Sequence, residues 1–310
     1  MSRLALDFDP HLSRLDVEPW MARLEEIADE HGYFEPLGDQ HSAVFLDAGP
    51  RLFVSFEDAQ AVRNSSTESA PRGFQFARNE GWSSLSILSE GESWFREDRI
   101  YGYFDRLIDD GFFEDFQTVV FHGSQAAGYA ACAFSVAAPG ATVLAIRPYA
   151  TLDPRVAGFD TRHLSARRKD FSSRYGYAPD MLEAAHHAFV VFDPLQRLDA
   201  IHAALMRRDN VTLLRCSGMG RRIDAMLDST GLHNDLIRLA MAQRLNPEIF
   251  ANLLRVRRQY APYLRNLINR AVSSGHGTLA ARACTAALRE KSDPFFTSKL
   301  KELAAEGISP

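Results

Sequence analysis

Five short, nearly unbroken apolar runs occupy the middle of the chain: WSSLSIL (82–88), TVVFH (118–122), ATVLAI (141–146), AFVVFD (188–193) and VTLLRC (211–216). Apolar runs of this length without polar alternation read as strands buried on both faces. Amphipathic stretches at 97–109, 126–137, 195–207 and 219–229 predict helices between several of them. Parallel strands need a crossover, so this alternation predicts an α/β protein with a mostly parallel sheet flanked by helices. Upstream, DVEPWMARLEEIADEH (16–31) spaces Trp20, Leu24 and Ile27 at helical intervals. SAVFLDA (42–48) and RLFVSFE (51–57) flank Gly49-Pro50 and read as a hairpin, with 58–80 an irregular polar loop. Beyond 232 strands cease, and successive short helices are broken by Asn-Pro, Pro, Gly and Asp-Pro. The expected organisation is an N-terminal helical segment (1–39), a sheet domain (40–232) with an insert at 148–187, and a C-terminal all-helical appendage (233–310).

The insert contains a basic, aromatic stretch, DTRHLSARRKDFSSRYGY (160–177). An insert after the carboxyl end of a strand commonly covers the site of such a fold. With 46% apolar and 24% charged residues, the 310-residue chain can build a sizeable core without staples. A net charge of −5 argues against a general nucleic-acid binder. Cys132, Cys216 and Cys284 show no CxxC spacing, so neither structural zinc nor a disulfide framework is expected. The first residues carry acids and no apolar h-region, and no run is long enough to span a bilayer, so the expected location is the cytoplasm.

The stretch QTVVFHGSQAAGYA (117–130) has the form of a strand running into a helix across a nucleophile elbow. FHGSQAAGYAACAFSVAAPGATVLAIRPYATLD resembles the elbow region of bacterial α/β-hydrolase-like proteins with a Gly-Ser-Ser-Met-Gly-Gly-Tyr elbow, some associated with surface-glycan synthesis or modification. The resemblance covers roughly 115–235 and implies an α/β-hydrolase-like fold. With Gly123 and Gly128-Tyr129 in register, the nucleophile position falls on Gln125, whose amide cannot attack an acyl carbon, and Ser124 lies one residue early. Asp193 falls at the acid position; Asp193-Pro194 is also an ordinary helix-capping pair. The place where related chains carry histidine reads Gly220-Arg221-Arg222-Ile223, and arginine cannot serve as the general base. Arg147 stands where the resembling strand end has serine.

The reading that follows is a catalytically degenerate α/β-hydrolase-like protein. It would bind a small anionic ligand, with Gln125, Arg147 and Arg221 as candidates, or a protein partner, in surface-glycan assembly or modification. An Asp193–Arg221 ion pair is expected in place of the former acid–histidine contact. Two alternatives stand beside it. One is an active serine esterase or acyltransferase using Ser124, Asp193 and His163 from the insert. The other uses the Ser217-Gly218-Met219-Gly220 loop, which is similar to the phosphate loop of phosphoadenosine-phosphosulfate reductases, to process a nucleotide or sulfonucleotide. No metal or cofactor is expected in any of these readings.

Overall fold

The computed structural model describes residues 5–64, 68–290 and 292–309; positions 65–67 of the expected polar loop lie outside the described residues. Eight strands form one sheet: β1 (Gly32–Pro36), β2 (His41–Leu46), β3 (Arg51–Asp58), β4 (Ser83–Ser89), β5 (Thr118–Ser124), β6 (Thr142–Ile146), β7 (His187–Phe192) and β8 (Val211–Arg215). Their order is β1-β2-β4-β3-β5-β6-β7-β8. β2 runs antiparallel to both β1 and β4, and every other neighbouring pair is parallel. This is an α/β-hydrolase-like fold, as expected.

The expected hairpin is not formed. β2 and β3 are not partners, because β4 is inserted between them and pairs with both. Gly49-Pro50 reverses the chain without fixing hydrogen-bonded neighbours, and the parallel β3–β4 register leaves the crossover to the segment 59–82. That segment is accordingly not all irregular: helices Ala59–Arg63 and Arg72–Glu80 form within it. Asp58 caps the first, accepting from the Ala61 amide at 2.7 Å.

Alternation along the strands divides the core. Leu52, Val54 and Phe56 of β3 and Phe121 of β5 face one layer with Phe104, Tyr129 and Phe134. Phe53, Val120, Leu144 and Val191 face the other, with Phe76, Ile223, Leu227, Leu236 and Ile237. The N-terminal helix Val17–His31 buries Trp20, Leu24 and Ile27 against Val44 and Leu46 of β2, in a third cluster. Trp20 also donates its indole N–H to the Ser69 carbonyl at 2.7 Å.

β1 lies within 1–39, and the helix Leu232–Met241 packs on the sheet beside β5 and β6. The helices Ala261–Ser273, Gly277–Glu290 and Pro294–Ala305 build a separate core around Ile268, Cys284, Phe296 and Leu303.

Phe134 is fully buried against Phe56, Phe104, Tyr101 and Tyr175, joining sheet, flanking helix and insert. Truncating such a ring costs about 3–5 kcal/mol. Phe134→Ala is expected to lower unfolding free energy in urea by that amount, measured by far-ultraviolet dichroism.

Candidate functional site

β5 ends at Ser124 and the chain turns at once into the helix Ala126–Phe134. Gln125 sits at the apex with φ +57° and ψ −116°, a conformation that a non-glycine residue adopts only under strain. The turn stays tight because its neighbours are glycines. A Cβ at Gly123 would meet the Ala127 carbonyl oxygen at 2.2 Å, and one at Gly128 would meet the Gly123 and Ile146 carbonyl oxygens at 3.2 Å. This is the geometry of a nucleophile elbow. The position that the elbow strains and presents is Gln125, while Ser124 lies at the strand end beneath it.

A cavity of about 480 Å³ opens over this turn, within the size range of small-molecule pockets. Ser124, Gln125 and His163 all line it, as do Glu57, Arg72, Trp94, Asp224 and Asp228. The serine hydroxyl is not paired with an imidazole. It donates to Asp224 Oδ1 at 2.5 Å and lies 3.3 Å from the Ile146 carbonyl oxygen. His163 turns Nε2 to the Tyr149 hydroxyl at 2.9 Å and stacks edge-on against Trp94. Burial lowers its pKa, with Glu92 opposing.

Asp193 does not pair with Arg221. It is buried and clamps the turn after β8, where Oδ2 accepts from the Gly218 and Gly220 amides at 3.0 and 2.6 Å. Oδ1 accepts from the Leu195 amide at 2.9 Å. A carboxylate satisfied by three backbone donors is a structural brace. The same bonds occupy backbone donors that a phosphate would need in the Ser217 loop, and the Ser217 carbonyl accepts from Arg257 Nη1 at 3.2 Å. Arg221 is exposed, and its backbone carbonyl accepts from Arg147 Nη1 at 3.1 Å.

Arg147 is 5% exposed and lies behind the site rather than in the cavity lining. Its Nε meets Asp199 Oδ2 at 3.0 Å, and Arg162 meets the other oxygen of Asp199 at 2.5 Å. Arg162 also holds Asp160, whose Oδ2 accepts from His202 Nε2 at 3.0 Å. Burial pushes Asp160 upward, but the bonds from Arg162 and His202 prevail and hold it well below the usual carboxylate range. The Ala150 amide donates to His202 Nδ1, so that ring is neutral with its proton on Nε2. Of the two expected cationic ligand contacts, Arg147 is thus spent on holding the helix Arg197–Leu205, through which Arg162 fixes the insert.

Nothing in the sequence pairs His122 with His233. His233, the second residue of the helix Leu232–Met241, reaches back to the elbow strand and places Nε2 3.0 Å from His122 Nε2. Its Nδ1 lies 2.6 Å from Asp228 Oδ1, and His122 Nδ1 meets the Leu144 carbonyl at 2.8 Å. Arg72 completes the cluster with a 3.0 Å bond to Asp228. Burial, His233 and Arg72 hold His122 well below the ordinary imidazole value. Burial and Arg72 also lower His233, against the pull of Asp228. Burial would raise Asp228, yet its bonds to His233 and Arg72 bring it down to about 2. The only sequence signal for this cluster is three polar residues interrupting apolar faces.

Among the described residues no group of His, Cys, Asp and Glu is arranged to hold a metal ion, and no helix is long and apolar enough to cross a membrane. Cys132, Cys216 and Cys284 are buried and free; burial pushes the Cys216 thiol up to about 12.

No family model and no curated protein matches the sequence. Solved structures are similar in fold at low identity. The capsule O-acetyltransferase of Neisseria meningitidis serogroup A is 11% identical, with a TM-score of 0.42, covering 64% of this chain and 91% of that one. A glycosylation-associated protein complex from Streptococcus agalactiae is 11% identical, with a TM-score of 0.47, covering 64% of this chain and 44% of that one. A thermostable carboxylesterase cloned from a metagenomic library is 14% identical, with a TM-score of 0.42, covering 74% and 97%.

Two measurements check the electrostatics. Asp199→Ala removes the nearer carboxylate from buried Arg147, leaving Asp224 at 3.9 Å, and also takes a partner from Arg162. Losing a buried partner costs about 3–5 kcal/mol, which denaturation should show, with Asp199→Asn retaining part. His41, His122 and His233 are all lowered in the fold, His41 by burial to about 4. Unfolding raises them to about 6.5, so their contribution is present above that pH and is lost on acidification. Stability should therefore fall between pH 6.5 and 4, by on the order of 2–3 kcal/mol for His41 alone, in denaturant titrations across that range.

Proposed function

We propose that this protein is a catalytically degenerate α/β-hydrolase-like protein that binds a small molecule over its elbow. The observation that carries the reading is the 2.5 Å bond from Ser124 to Asp224. Acyl transfer needs a base that takes the serine proton near neutral pH and returns it to the leaving group, a role suited to imidazole. Here the serine hydroxyl is held by a carboxylate, and His163 is turned to Tyr149. The strained apex is a glutamine, which can donate and accept hydrogen bonds but cannot form an acyl-enzyme.

The cavity walls favour a ligand other than an anion. Glu57, Asp58, Glu92, Asp224 and Asp228 line it against the single guanidinium of Arg72, while Arg147 and Arg221 are outside the lining. Carboxylates, an elbow amide group and the aromatic walls of Phe56, Trp94 and Phe95 suit hydroxyl groups on an uncharged body. The sequence resemblance makes surface-glycan assembly or modification the process in which such a protein would act, and a sugar the first ligand to test.

A fluorophosphonate probe and p-nitrophenyl acetate test the catalytic half of this reading. The wild-type protein is expected to show no labelling and no turnover above a Ser124→Ala control. Labelling that vanishes in Ser124→Ala would restore the serine hydrolase.

A further inference from the structure

Counting protons in the cluster beneath the cavity gives a result that its resting charges do not. Three contacts run in line: Leu144 carbonyl to His122 Nδ1, His122 Nε2 to His233 Nε2, and His233 Nδ1 to Asp228 Oδ1, at 2.8, 3.0 and 2.6 Å. Each needs one hydrogen. The carbonyl can only accept, so His122 Nδ1 carries a proton. Two neutral imidazoles supply two hydrogens, and an ionised Asp228 supplies none. One contact would then bring two lone pairs together, either between rings at most 4% exposed or between His233 and the half-exposed Asp228 carboxylate.

We infer that Asp228, His233 and His122 form a proton-binding array, complete only when it takes up a third proton, and that its occupancy governs how the helix Leu232–Met241 is joined to β5 at the cavity floor. With the proton bound, His233 is an imidazolium that donates to both neighbours, paired with the Asp228 carboxylate. With the proton absent, either the His122–His233 or the His233–Asp228 contact loses its hydrogen and lengthens. This device is independent of whether the elbow is catalytic.

The charged surroundings keep the third proton labile. Arg72 faces the array from the helix Arg72–Glu80 and bonds Asp228, opposing a cation on either ring. Asp228 and, more weakly, Asp224 from the helix Ile223–Ser229 favour one. Glu57, at the end of β3, bonds the Arg72 amide and lies across from Asp228. Gln75 and Asn234, which bond one another beside the array, are uncharged. A second cation on His122 is excluded by its neighbour, so the cluster gains one proton as a unit.

Substituting Asp228→Asn separates this proposal from a merely structural cluster. A flipped amide can donate to His233 Nδ1 at the expense of the Arg72 bond, which the same oxygen accepts. His233 Nε2–H can donate to His122, and His122 Nδ1–H can donate to Leu144, so neutral groups fill all three contacts of the array. Long-range proton–nitrogen NMR of the full chain, with histidines assigned by substitution, reads the protonation of each ring from pH 8 to 5. In the wild type, His233 should pass from one protonated nitrogen to two with a midpoint below 6.5, while His122 stays neutral. In Asp228→Asn neither ring should change over the same range. A wild-type His233 that keeps a single proton down to pH 5 would overturn the proposal, as would a folded Asp228→Asn that titrates like the wild type. The wild-type titration decides the matter by itself if the variant fails to fold.

Discussion

The close crossing of β5 and the helix that follows it is the constraint on which this structure depends. Gly123 and Gly128 let two backbone segments meet where no side chain fits, and Gln125 takes up the strain at the apex. The crossing aligns the helix Ala126–Phe134 over the central strands, so Tyr129 and Phe134 drive into the core beneath the insert. It also fixes the Ser124 hydroxyl, the Gln125 side chain and the floor of the cavity relative to one another. A turn with this much backbone strain persists because the packed sheet overdetermines it.

Behind that turn several buried polar groups serve architecture. Asp193 braces the turn after β8 through two glycine amides, and Arg147 is held between Asp199 and the Arg221 carbonyl. From Asp199 the polar contacts continue through Arg162 and Asp160 to His202, attaching the insert to the helix Arg197–Leu205. Buried ion pairs of this kind give little net stability relative to apolar packing, but losing one partner strands the other. They set the position of the insert more than they strengthen the fold.

Seven of the eight strands were legible as short apolar runs, β1 being missed because GYFEP offers no such run, and the elbow was legible because its glycine spacing has few other uses. The β2–β3 hairpin was misread at Gly49-Pro50, since a turn signal specifies that the chain reverses and not which strand lies alongside. The helix Arg72–Glu80 was missed because its apolar positions, Phe74, Phe76 and Ala77, follow a polar loop without a conventional cap. The Asp193–Arg221 pairing failed for a different reason: backbone amides, invisible as sequence features, outcompeted a side chain for the carboxylate. His233 was unreadable as part of the site because its partner is 111 residues away, and no local pattern encodes that meeting.

The elbow also bears on how this chain could change over generations. A single replacement of Gln125 by serine would set a hydroxyl on the strained apex without giving it a free imidazole. His163 is engaged with Tyr149, His233 lies between His122 and Asp228, and Asp224 is bonded to Ser124. If the elbow is degenerate as proposed, each single step toward hydrolysis would therefore yield no catalysis for selection to act on. On the proposed reading such a loss would work as a ratchet: the scaffold would keep its shape, and the lineage would be free to vary the cavity without a gradual path to acyl transfer.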